Sequence, residues 1–318
     1  MPDTLKSSQD SVDINILLLE AKGVTKKDKL VLFSLKNLYL FSWLLSMIVL
    51  GKKKRDRLYS ERGITFKSFL YKYIKFLGIR NLLLKVNVPK YGGYQAYCRS
   101  KDNFRDFVIM TEHEHDLIER FCPKEGDVVV DIGAHIGCYT IISSKRVGAN
   151  GKVIAIEADP SNFEMLNHNI KLNQLTNITA LNYAVYSKET KIKLYLPGEE
   201  SGYTIYNTLM IERAKPREKF VEVSANTLDN LLQQNGIRQV NWIKIDVEGA
   251  ELEVLKGATN ILSKSKDIAL LIEIHNLHTG INLYEQIVEF LCSYYNFKIE
   301  FEKTYWSREK SIIVRKSL

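Results

Sequence analysis

The segment 128–137 reads VVVDIGAHIG, and its reading decides the fold. Three β-branched residues in a row, Val128, Val129 and Val130, suit a strand buried on both faces. The run ends on an acid, Asp131. Gly133 and Gly137 then mark a tight turn leading into an apolar, helix-like stretch that closes at Val147. Strand, glycine turn and helix N-terminus together make a corner at which nucleotides bind. Glycine is needed there so that the backbone can turn sharply and approach a neighbour closely.

Outward from this corner, strand and helix patterns alternate. A second strand is expected over 152–157, ending on Glu157, followed by a helix with Asp159 as N-cap and Pro160 in its first turn. Phe163, Leu166 and Ile170 share the inner face of that helix. A third strand is expected over 178–185. Strand patterns at 191–196 and 220–224 flank a polar stretch, 197–219. A short helix (227–234), a buried strand (242–246), a helix (249–262), a strand (268–275) and a helix (282–294) follow. Strands at 297–302 and 310–315 close the chain. The alternation implies an α/β domain with a mostly parallel sheet covered on both faces, and the terminal strand pair an antiparallel edge strand.

The 318 residues are 45% hydrophobic, enough for a sizeable core. Cys98, Cys122, Cys138 and Cys292 form no C-x-x-C pair, so neither a zinc ribbon nor a disulfide framework is expected. Residues 1–90 hold 18 basic and 7 acidic side chains, against 27 and 30 in the remainder. The remainder therefore has no basic footprint for nucleic acid. Two domains are expected: a basic, helical N-terminal extension (1–90) and a main domain (91–318).

Within the extension, 30–50 carries a single charge, Lys36, between Lys26, Lys27, Lys29 and the run KKKRDR at 52–57. Its length suits a membrane span, its flanks an interfacial helix on anionic lipid, and its small polar residues a helix packed on protein. Lys36 would cost roughly 2.5 kcal/mol or more at the centre of a span, less if it snorkels. The absence of a small-residue cleavage site argues against a signal peptide. The main domain is expected in the cytoplasm, with possible membrane contact through 26–57. A second amphipathic helix is expected over 66–77, and extended structure turning at Gly92 and Gly93 over 87–101.

The motif GAHIG lacks the middle glycine of the nicotinamide fingerprint, and a carboxylate at the strand tip repels a diphosphate. A cationic nucleotide suits Asp131 better, and S-adenosylmethionine carries both a sulfonium and an ammonium. Glu157 stands where an acid binds ribose hydroxyls. Four stretches, DIGAHIG (131–137), VIAIEADP (153–160), IKIDVEGAE (243–251) and LIEIH (271–275), resemble in that order the motifs of the FkbM family of methyltransferases. The resemblance covers roughly 127–275. It implies a Rossmann-like class I methyltransferase fold with a seven-stranded sheet, S-adenosylmethionine as methyl donor, and O-methylation of sugars or polyketide-type products. It maps the cofactor site onto Asp131, Gly133, Gly137 and Glu157, with Ala134 and His135 in the same loop. His135 stands where many members have asparagine.

The remaining chemistry falls at two strand ends. Asp246 and Glu248 close one; Glu273 and His275 close the other, two apart and so on one side of their strand. Methyl transfer to oxygen needs alignment and proton removal, for which Asp246 or His275 is the expected base. A divalent ion on Asp246, Glu273 and His275 is chemically reasonable but not expected. Asp246 or Glu248 could instead cap the next helix. His113 and His115, among Glu112, Glu114 and Asp116, read as a solvated helix start rather than a metal site. The polar stretch 198–219, with Ser201, Tyr203 and Tyr206, is expected to cover the substrate. The acceptor is expected to be a hydroxyl-bearing small molecule, glycan or lipid-linked group. A nicotinamide oxidoreductase and a non-catalytic, membrane-tethered binding module are the competing readings.

Overall fold

In the computed structural model of the chain, the described residues are 17–18, 83–88, 91, 93–99, 114–196, 220–275, 282–305 and 309–316. The expected helices at 30–50 and 66–77, the basic flanks within 26–57, the cover at 198–219, and Glu112 and His113 lie outside them. Among the described residues, no helix is long and apolar enough to cross a membrane.

Near the N-terminus, β1 (Leu17–Leu18) pairs antiparallel with β2 (Leu83–Val88). Together with β3 (Tyr94–Arg99) they form a small sheet in the order β1-β2-β3. The helix α1 (His115–Arg120) starts where the histidine-acid stretch was read as a helix start.

The main sheet is built from β4 (Val128–Ile132), β5 (Lys152–Ile156), β6 (Ile178–Leu181), β10 (Trp242–Ile245), β11 (Ala269–His275), β12 (Phe297–Tyr305) and β13 (Glu309–Lys316). Its order is β12-β13-β11-β10-β4-β5-β6. Strands β11, β10, β4, β5 and β6 run parallel, and β13 is antiparallel to both neighbours. The reversed strand expected at the edge thus lies one place in, with β12 outside it. The connecting helices are α2 (Cys138–Val147), α3 (Pro160–Leu172), α4 (Leu228–Gln234), α5 (Glu251–Lys256), α6 (Thr259–Lys264) and α7 (Leu283–Tyr295).

Alternation along the strands explains the layers. Val130, Ile132, Ile154, Ile156, Ile243, Ile245, Leu270 and Ile272 pack on one face with residues of α4, α5, α6 and α7. Each such side chain, taken fully out of water, contributes roughly 1.5–3 kcal/mol. The opposite face carries Asp131 and Lys244, which are paired directly across β4 and β10. Near them Phe121 packs edge-on against Tyr139 and Trp242, with centroids 5.5 and 5.0 Å away.

Two expected elements are divided. The strand 178–185 breaks between β6 and β7 (Ala184–Val185), where the exposed Asn182 donates from Nδ2 to the Glu157 carbonyl at 2.8 Å. From there β7 joins β9 (Phe220–Asn226) and β8 (Thr190–Tyr195) in a second sheet of order β7-β9-β8. The helix 249–262 breaks at Gly257, where a Cβ would stand 2.2 Å from the Tyr186 carbonyl oxygen. Asp229 then caps the new helix, accepting from the amides of Asn260 and Ile261 at 2.8 and 2.9 Å.

This topology fixes the site. The chain fills the sheet from β4 through β5 to β6, then crosses to β10 and β11 on the other side. The crevice beyond the carboxyl ends of β4 and β10 is therefore the switch point at which such sheets bind ligands.

Candidate active site

Asp131 closes β4, but its carboxylate does not face open solvent: the residue is wholly buried. Thr140, from the first turn of α2, donates to its Oδ2 at 2.5 Å, while Oδ1 has no hydrogen-bond partner. Burial holds the Asp131 carboxyl above its usual range, against the opposing pull of Lys244 and Thr140.

The loop after Asp131 is held from within. The amides of Gly133 and Ala134 both donate to the Ile156 carbonyl, at 2.9 and 3.0 Å, and Gly137 donates to Ala134 at 2.8 Å. The amide of His135, a residue in the left-handed region at φ 53°, donates to Glu157 Oε2 at 2.7 Å. These amides are spent on the fold, so they offer no cradle for a diphosphate. Burial of the ring lowers the His135 pKa to about 4, so the imidazole is neutral near pH 7.

Glu157, at the end of β5, is buried and accepts a second backbone bond, from Asp159 to Oε1 at 2.8 Å. Burial outweighs both bonds and pushes its carboxyl up to about 7. Each oxygen retains a lone pair beyond its amide partner. Glu157 and the 133–137 loop are the groups that could hold a ribose-bearing cofactor.

A second cluster of charged residues is built on β10. All four residues of β10 are buried, Lys244 included. Its ammonium donates to Asp246 Oδ2 at 3.0 Å and lies 5.1 Å from the centre of the Tyr139 ring. Burial alone would lower the Lys244 pKa; Asp246, Asp131 and Glu273 outweigh it and hold the amine charged. Lys244 and His275 in turn hold Asp246 below the carboxylate range, although burial opposes them. The sequence reading passed over Lys244; its signal was a cation inside a wholly apolar strand, two residues before Asp246 and so on the same face.

His275 closes β11. Its Nε2 lies 3.5 Å from Glu248 Oε2 and 3.9 Å from Asp246 Oδ1, and its Nδ1 2.8 Å from Glu251 Oε1. Burial opposes protonation, but Glu248, Glu251 and Asp246 raise the His275 pKa to about 10. The surrounding carboxylates therefore favour the imidazolium form of the ring. Glu251 was not singled out by sequence, and it is wholly buried.

Asp246, Glu248 and His275 bring one ligand-type atom each within 4.8 Å of the others, a spacing a divalent ion could use. Glu248, not Glu273, completes this group; Glu273 acts on Lys244 instead. Neither Asp246 nor Glu248 caps α5, whose N-cap, Ala250, has no side-chain hydrogen bond. Glu248 takes a left-handed conformation at φ 57°, which re-aims the chain after β10.

The methyltransferase FkbM domain model matches residues 131–299. Methyltransferase sdnD of Sordaria araneosa is 29% identical over 189 residues, covering 52% of this chain and 71% of that protein. Hexuronic acid methyltransferase AglP of Haloferax volcanii is 30% identical over 164 residues, covering 51% of this chain and 62% of its own length. Among solved structures, a SAM-dependent methyltransferase from Aquifex aeolicus aligns with 66% of this chain and 92% of its own at 15% identity, with a TM-score of 0.39. The chain belongs to the FkbM methyltransferase family and is an S-adenosylmethionine-dependent methyltransferase.

Proposed function

We propose that this methyltransferase acts on a hydroxyl oxygen, with Asp246 as the proton acceptor. The observation that carries the reading is the setting of Asp246 at the switch point. Lys244 holds its Oδ2 at 3.0 Å, and its side chain is 28% exposed, so the carboxylate is both fixed and reachable.

The residues of the corner fit the cofactor. Glu157, with a lone pair left on each oxygen, would accept the two ribose hydroxyls. Gly133, Ala134, His135 and Gly137 would line the nucleoside, and Asp131 beneath them would add negative charge facing a cationic ligand, its Oδ1 being unpartnered. When bound, S-adenosylmethionine supplies an electrophilic methyl carbon on a sulfonium.

Asp246 orients the acceptor hydroxyl in line with that carbon. As that oxygen takes up the methyl group, Asp246 would accept the hydroxyl proton that the oxygen must lose. An alkylating hydroxyl becomes strongly acidic, so even a carboxylate of low basicity suffices at that stage. His275, already protonated, keeps Glu248 and Asp246 ionised beside the reacting oxygen. Glu273 and Glu248 complete the acidic wall of the acceptor end.

A sugar, glycan or related polyol is the acceptor class this reading favours, supported by the relative named for hexuronic acid methylation. A lipid-linked acceptor would suit the basic, apolar stretch 26–57.

The test uses the full chain with methyl-labelled S-adenosylmethionine and a polar metabolite extract. Label is expected in methyl ethers, and Asp246→Asn is expected to abolish it while still binding S-adenosylhomocysteine. Label on nitrogen or carbon, or undiminished labelling by the variant, would overturn the reading.

A further inference from the structure

Glu251 is wholly buried, yet it is a carboxylate, and one of its oxygens, Oε2, has no hydrogen-bond partner. Taking an ionised carboxylate out of water costs several kcal/mol unless a counter-charge meets it. Its Oε1 accepts from the Gly249 amide at 2.9 Å and lies 2.8 Å from His275 Nδ1. Capping the turn at Gly249 does not by itself call for a buried charge, since a neutral Ser, Thr or Asn cap does that work at lower desolvation cost. The His275 ring, with Nδ1 2.8 Å from Oε1, is the partner that accounts for a carboxylate here.

We infer that Glu251 is a positioning residue: it grips Nδ1 of His275 from behind and thereby aims Nε2 at Glu248 and Asp246. The ring then has one orientation and one assignment of its two nitrogens. Lys244 does the same for Asp246 from the other side, holding Oδ2 so that Oδ1 faces His275 at 3.9 Å. Glu251 touches neither acceptor nor cofactor and acts through His275. Its catalytic meaning rests on the reading of Asp246 as proton acceptor; its grip on His275 does not.

Among the described residues, the charged groups that lie against the ring are Glu251 on α5 and Glu248 and Asp246 in the turn before it, and Glu273 stands two residues earlier on the same side of β11. Removing the charge of Glu251 therefore leaves the other three in place, and the effect on His275 reports Glu251 alone.

The experiment is nuclear magnetic resonance of the full chain with nitrogen-labelled histidine, His275 being assigned by the loss of its signals in His275→Gln. In the wild type, the Nδ1 proton is expected in slow exchange and shifted far downfield, and the ring is expected to titrate well above an ordinary histidine at about 6.5. In Glu251→Gln the downfield proton is expected to disappear and the midpoint to fall toward that ordinary value. Glu251→Asp, which keeps the charge but shortens its reach, is expected to fall between. A residue that merely caps the turn would lower stability and leave the His275 midpoint where it was. That result, or a wild-type Nδ1 proton in fast exchange, would overturn the inference. Both readouts need no acceptor, so failure to find labelled methyl ethers would count against the proposed function and leave this inference standing.

Discussion

Gly133 lies directly against the backbone of Asp246: a Cβ on Gly133 would stand 1.8 Å from the Asp246 carbonyl oxygen. The glycine of the cofactor loop and the proposed proton acceptor are thus joined by a contact that no side chain can enter. At φ 73° the position is also left-handed. Gly133→Ala should therefore cost about 3 kcal/mol or more from strain and clash together. It should weaken S-adenosylhomocysteine binding and turnover at once, because the loop and the end of β10 must separate. Denaturant unfolding and calorimetric titration check this, and wild-type values in both would show that the corner can open without loss.

Lys244 offers a sharper contrast between buried and exposed charge. It is 4% exposed and bonded to Asp246, whereas Lys256 is bonded to Glu253 with a side chain 47% exposed. Lys244→Met leaves the buried Asp131 and the half-buried Asp246 without their main counter-charge and should cost about 3–5 kcal/mol. Lys256→Met should cost less than about 1 kcal/mol. Urea midpoints of the two variants measure the difference; similar losses would mean that Lys244 is replaceable by packing.

Much of the fold was written in short-range patterns. VVVDIG announced β4 and its turn, Asp159 and Pro160 announced α3, and the two terminal runs announced the β12–β13 pair. What stayed hidden was set by contacts between distant residues. The break of the expected helix at Gly257 depends on the Tyr186 carbonyl, and the break after β6 on Asn182 reaching back to Glu157. The residues of the candidate site can be picked out of the sequence, but their pairings cannot. Asp131 reads as a strand-tip carboxylate, and the sequence does not show that it sits wholly buried opposite Lys244. His275 reads as a candidate base, and the sequence does not show the three acids that gather around it and raise its pKa. Such pairings arise only when strands and helices far apart in sequence meet.

Glu157 gives the cofactor corner a pH dependence. Its folded pKa is pushed up to about 7 by burial, so near neutrality the carboxyl is part protonated. A protonated carboxyl loses an acceptor site for a ribose hydroxyl. The affinity for S-adenosylhomocysteine should therefore fall as pH drops through about 7, and Glu157→Gln should bind more weakly with that dependence gone. Calorimetry at pH 6, 7 and 8 on both proteins decides it; a flat wild-type profile would take the ribose away from Glu157.

His275 makes a prediction of stability against pH. Its folded pKa is about 10, raised chiefly by Glu248 and Glu251 against the pull of burial, while an unfolded histidine titrates near 6.5. Because the folded value is the higher one, the folded state binds the proton more tightly. The stabilisation is fully present below about pH 6.5, declines as pH rises between about 6.5 and 10, and is gone above. Over that window Glu248, Glu251 and Asp246 lose the cation that holds them together. Other groups titrate there as well, so the wild type must be compared with His275→Gln. Urea midpoints at pH 6, 8 and 10 should fall more steeply for the wild type than for the variant. Parallel curves would mean that the three carboxylates are balanced by some other charge and that His275 enters the site neutral, which would return it to candidacy as the base.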